Sequence, residues 1–112
     1  MYRLRWDDWP VERTTLATLV EALDDLDDEL AIYASRQDGW RPDSPAVAIA
    51  ATKNGALRAE AAELSHFLEV PIAKEAIRVW SDWRGGAQPD TADRVEAVIY
   101  YAENDAYLPV QE

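Results

Sequence analysis

The spacing of the apolar residues changes along this chain, and that change constrains the fold more than any other feature. Leu16, Leu19, Val20 and Leu23 fall at i, i+3, i+4 and i+7 and make one helical stripe. Two runs of strand length follow, Leu30-Ala31-Ile32-Tyr33-Ala34 and Ala46-Val47-Ala48-Ile49-Ala50-Ala51. Helical spacing then returns at Ile72, Ala73, Ala76, Ile77 and Trp80, and again at Val95, Val98, Ile99 and Ala102. A chain that passes from helix to strands and back to helices implies an α+β fold. The expected architecture is a small antiparallel or mixed sheet of three to four strands, with about three helices packed on one face. At 112 residues the chain is expected to form a single domain over 1–112.

Turn chemistry sets the boundaries. Tyr2-Arg3-Leu4-Arg5-Trp6 alternates like an edge strand or an ordered arm, and Asp7-Asp8-Trp9-Pro10 breaks it. The first helix is expected over 15–26, with Thr14 or Thr15 capping its first turn. The segment 38–45 is dense in turn formers and reads as a loop. Lys53-Asn54-Gly55 supplies a turn signal after the second strand. Residues 57–64 read as irregular and lead into a strand at about 65–70. Their Ala and Glu content leaves a helix across 57–68 as the alternative. Pro71 suits a first helical position, Gly85-Gly86 ends that helix, and Asp90 or Thr91 caps the last one. The last helix dissolves at Asn104-Asp105, and Tyr107-Leu108-Pro109 is placed to tuck back as a tail.

Charge narrows the choice of partner. Eleven Lys and Arg stand against twenty-two Asp and Glu, a formal net charge of −11. Affinity for phosphate comes from Lys and Arg, so direct nucleic-acid binding and attachment to an anionic membrane are disfavoured. A basic protein partner is favoured, because complementary fields speed encounter and suppress wrong partners. The plain alternative is that the charge keeps the protein soluble. There are no cysteines. This removes disulfides, thiolate metal sites and a Cys nucleophile, and it fits a reducing cytoplasm. A cytoplasmic location is expected for a second reason. The first residues form no apolar signal segment, and no apolar run approaches the ~20 residues of a membrane span.

No catalytic set emerges. His66 is the one histidine, it lies in an apolar stretch, and none of Ser35, Ser44, Ser65 or Ser81 stands in a nucleophile elbow. Pairs of carboxylates are too many here to single one out. A calcium loop aligned on Asp25, Asp27 and Glu29 fails, with Leu30 at the glycine position and Arg36 at the bidentate Glu position. Gly85-Gly86 lacks the flanking Lys-Ser/Thr of a phosphate loop. The chain is therefore expected to be no enzyme and to hold no metal or cofactor.

The acids and the aromatics remain. Asp24, Asp25, Asp27, Asp28 and Glu29 crowd the C-terminal end of the first helix, where the dipole already disfavours negative charge. A local rule broken in this way marks a candidate binding patch. The structural alternative is a solvated helix end neutralised by Arg3, Arg5 or Arg13. Five tryptophans are many for this length. Trp80 lies on an inward stripe and is expected in the core. Trp40, between Gly39 and Arg41, and Trp83, at a helix end, are the interface candidates, because Trp buries a large area at low entropic cost.

In size, acidity, lack of cysteine and this pairing of acids with aromatics, the chain resembles the small bacterial immunity proteins that neutralise basic toxin domains. The resemblance implies an inhibitor that masks the nuclease-like groove of a toxin with carboxylates. The alternative is a structural or regulatory subunit of a larger complex, its acidity serving solubility only. A nucleic-acid mimic would need its carboxylates spread at phosphate-like spacing and not gathered in one run.

Overall fold

The structure, a computed structural model, describes residues 13–37 and 39–110. The expected arm at Tyr2–Trp6 lies outside them. A two-residue strand β1 (Thr14–Thr15) leads directly into α1 (Leu16–Glu21). After β2 (Leu30–Ala34) and β3 (Pro45–Ala50) come α2 (Lys53–Ala61), β4 (Ser65–Glu69), α3 (Val70–Asp82) and α4 (Thr91–Asn104). The strands form one sheet in the order β1-β3-β2-β4, with every neighbouring pair antiparallel. The protein is an α+β fold.

Ala31, Ile32, Tyr33 and Ala34 of β2 are all buried. Strand alternation sends Ile32 and Ala34 to one face, beside Ala46, Phe67, Leu68 and Val70. It sends Ala31 and Tyr33 to the other, beside Val47 and Ile49. The first face is covered by α1, α3 and α4 through Leu16, Val20, Ala73 and Val98. The second is covered by α2 through Ala59, with Leu64 just after it. The helices therefore lie on both faces and not on one, because β2 is apolar on both. A register shift between Ile32 and Tyr33 leaves Phe67 as the extra residue of β4. This bulge lets Phe67 and Leu68 enter the same core, while His66 turns to the other face and meets Tyr33 edge-on at 5.5 Å.

Three boundaries differ from the sequence reading. The first helix does not run to residue 26. It ends at Glu21, and Leu23–Asp25 form a 3-10 turn that keeps Leu23 fully buried. Thr15 is its cap, accepting from the Thr18 amide at 3.2 Å, while the Leu16 and Ala17 amides donate to the carbonyls of Ser44 and Pro42. Lys53-Asn54-Gly55 is no turn but the first turn of α2, and residues 57–61 are helical and not irregular. Thr52 caps that helix by accepting from the Gly55 amide at 3.1 Å. Gly55 is there for space, since a methyl at this position would overlap the Ala50 carbonyl oxygen.

The end of α2 explains why its extent was hidden. The Glu63 amide donates to Glu60 O and the Leu64 amide to Ala59 O, both at 2.9 Å, the Schellman pattern. The left-handed residue of that motif is Glu63, at φ 63°, and not a glycine. At the end of α3 the usual residue is present. Gly85 takes the left-handed conformation and the Gly86 amide donates to Ser81 O at 2.8 Å. Asp90 and Asp93 then form a reciprocal capping box on α4.

Two substitutions separate these effects. Glu63→Gly relieves a left-handed non-glycine residue and should raise the unfolding free energy by about 0.5–1 kcal/mol. Gly55→Ala should lower it by about 2 kcal/mol, because the backbone of β3 must move. Urea titration followed by circular dichroism reads both.

Candidate partner-binding surface

The acidic run occupies the 3-10 turn and the link into β2. All five of its carboxylate residues are exposed. Two of them are paired. Arg94, in the first turn of α4, reaches Asp24 at 3.1 Å and also donates to the Val20 carbonyl at 3.2 Å. Lys74, in α3, meets Asp28 at 2.6 Å and donates to the Leu26 carbonyl at 2.9 Å. Each cation thus satisfies a carbonyl at the end of α1 or its 3-10 extension as well as a carboxylate. Two cationic side chains at a helix C-terminus offset the dipole penalty that the sequence exposed. Arg13, considered as a neutralising residue, donates instead to the Ala62 carbonyl, and Arg3 and Arg5 lie outside the described residues.

Asp25, Asp27 and Glu29 form no ion pair among the described residues. The Asp27 carboxylate accepts from the Glu29 amide at 2.8 Å, which orders the end of the run. Among the described residues the surface is therefore a firm base of two internal ion pairs carrying three open carboxylates.

Trp40 and Trp83 take different places. Trp40 is partly buried against the core, edge-on to Phe67 at 4.9 Å with the Arg36 guanidinium 4.7 Å over its ring. Its Nε1–H is buried and has no acceptor among the described residues. It follows the last residue of β2, whereas the acidic run precedes the first. Trp40 thus anchors its loop against the core. Trp83 is 51% exposed. Trp80, expected in the core, is only partly buried and lies under the Arg84 guanidinium at 4.5 Å.

A second cluster, at the end of α3, had not been assembled from the sequence. Tyr107 meets Trp83 edge-on at 5.9 Å and Tyr101 at 5.3 Å, and its hydroxyl donates to Glu75 Oε1 at 2.8 Å. Arg84 donates to the carbonyls of Trp80 and Pro109, both at 3.0 Å. The tail does tuck back, with Leu108 buried. The aromatic-Leu-Pro tail was the available signal, but its docking site on α3 was not legible.

Among the described residues no group of three or more His, Asp or Glu side chains is placed to hold a metal ion. No described helix is long and apolar enough to cross a membrane.

Lys74→Met removes a hydrogen bond to a helix-end carbonyl and leaves Asp28 without its cation. It should cost about 1–2 kcal/mol. Asp25→Asn and Glu29→Gln should each change stability by less than about 0.5 kcal/mol, since neither side chain holds a partner among the described residues. Urea unfolding of the three variants checks the division of the run into a structural part and an open part.

The hydrogen bond to Glu75 raises the pKa of the Tyr107 phenol above its ordinary value, with burial and the charge of Glu75 adding to the effect. The folded state therefore holds this proton more tightly than the unfolded chain does. Its contribution to stability is complete below about pH 10, the unfolded pKa, and is lost as pH rises through the folded value. Tyr107→Phe should flatten the alkaline limb of the stability curve, read by urea unfolding at a series of pH values.

No protein-family model, curated protein or solved structure matches the chain, so the case for this surface rests on its own geometry.

Proposed function

We propose that this chain is a non-catalytic binding protein whose acidic end receives a basic protein partner. One observation carries the reading. Asp25, Asp27 and Glu29 are exposed and unpaired among the described residues, on a turn that two internal ion pairs hold in place. The local cations are already spent on Asp24, Asp28 and two backbone carbonyls. A field from carboxylates held on a fixed turn steers a basic surface and costs little reorganisation on contact. In the finer form of the proposal the partner is a basic, nuclease-like toxin domain. The chain is then its immunity protein, laying carboxylates where the toxin would hold phosphates.

The test begins with capture of partners on the full chain at low salt, followed by a nuclease assay on any basic protein retained. Association of that protein with the variant Asp25→Asn, Asp27→Asn, Glu29→Gln is then timed. The expected result is an on-rate roughly tenfold slower at low salt, with the difference shrinking as salt rises. An unchanged rate would sink the acidic-end reading. A complex that ignores salt altogether would assign the chain to a structural or regulatory role in an assembly.

A further inference from the structure

The far end of α3 carries an exposed aromatic platform, and its chemistry selects a particular side chain. Trp83 presents half of its surface to solvent. Tyr107 braces it edge-on, and is itself fixed by Tyr101, by the Glu75 carboxylate and by the tail that Arg84 clamps. A ring held in this way loses little freedom on binding.

Two other indoles of the chain already carry a guanidinium, Arg36 over Trp40 at 4.7 Å and Arg84 over Trp80 at 4.5 Å. No such contact is recorded for Trp83 among the described residues, and it is the more open ring. Two carboxylates stand on the same exposed stripe of α3. Arg78 lies 3.9 Å from Glu75 and 3.5 Å from Asp82, so both acids converge on one cation position. All three side chains are more than half exposed, so this intrahelical arrangement is open to competition.

We propose that the Trp83–Tyr107 platform, with Glu75 and Asp82, is a docking site for an arginine side chain of the basic partner. The proposal rests on the reading of the chain as a binder of a basic protein. Guanidinium fits better than ammonium because its plane stacks on an indole while its edge donates to carboxylates.

The probe is an acetylated, amidated hexa-arginine peptide, with hexa-lysine of equal length as its control. Both are titrated into the full chain while the indole N–H resonance of Trp83 is followed, assigned by its loss in Trp83→Phe. Hexa-arginine should shift that resonance. Trp83→Ala should weaken its binding roughly threefold or more, a change of the size cation–π contacts give at exposed sites. Arg78→Gln, which removes the competing cation, should strengthen it. Circular dichroism and urea unfolding establish that each variant is folded.

Native-like binding of hexa-arginine by Trp83→Ala overturns the platform. So does hexa-lysine binding of equal strength and equal dependence on Trp83. The triple variant at Asp25, Asp27 and Glu29 separates the two proposals. Loss of peptide binding there, with none in Trp83→Ala, leaves the acidic end standing and removes the platform. Loss in Trp83→Ala alone does the reverse, and no loss in either removes both.

Discussion

The strand β2 buries both of its faces, and a strand that does so must be the middle of three layers. Ile32 and Ala34 face three helices, and Ala31 and Tyr33 face a fourth. Its two neighbours, β3 and β4, satisfy its backbone on both edges. The positions of the other elements follow. The bulge at Phe67 corrects the alternation of β4 so that its two largest apolar side chains reach the same core. The short α2 exists to roof the second face, and Gly55 lets it start tight against the end of β3. The acidic link enters β2 at one end, and the loop that carries Trp40 leaves it at the other.

Much of this was legible. The stripe Leu16, Leu19, Val20, Leu23 is buried as its spacing requires, and β2 falls on the residues that read as a strand. The three longer strands, the glycine end of α3 and the Asp90 cap of α4 follow from the same kind of signal, whereas Thr14–Thr15, read as a helix cap, also forms the short strand β1. The failure at α2 has a definite physical cause. Its inward residues are small, chiefly Gly55 and Ala59, so no strong apolar stripe marks the helix. Its start resembles a turn because Gly55 answers a steric need, and its end lacks the glycine that usually takes the left-handed position. The two faces of the sheet were reduced to one for the same reason, since an unseen helix cannot cover anything.

The acidic run shows where a sequence reading of electrostatics stops. Five acids at a helix C-terminus break a local rule, and the rule is half repaired from a distance. Lys74 is 46 positions from Asp28, and Arg94 is 70 from Asp24. No periodicity connects such pairs. Only the packing of α3 and α4 beside the end of α1 brings those cations within reach of the Val20 and Leu26 carbonyls. Asp24 and Asp28 are thereby explained as structural residues. Asp25, Asp27 and Glu29 meet no cation among the described residues, Asp27 only ordering the turn through the Glu29 amide, and this unbalanced charge is smaller and better defined than the run that the sequence displays.

The open carboxylates and the aromatic platform would act on different quantities. Exposed, solvated acids contribute mainly to encounter, and their reach is about 8 Å at physiological salt. They do little to hold a partner once docked, because their hydration is nearly retained. A long-lived complex needs contact that excludes water. Among the described residues the large apolar side chains left open are Leu57, Trp83 and Val110. Leu57 sits on α2, across the sheet from the three-helix layer. Trp83 lies on the same helix as Lys74, which anchors Asp28, about nine residues and ~14 Å further along its axis. A basic partner drawn to the acids and extending along α3 would meet the platform within that length. The rate of its arrival would then depend on the acids beside Lys74, and the time it stays on the far end of α3.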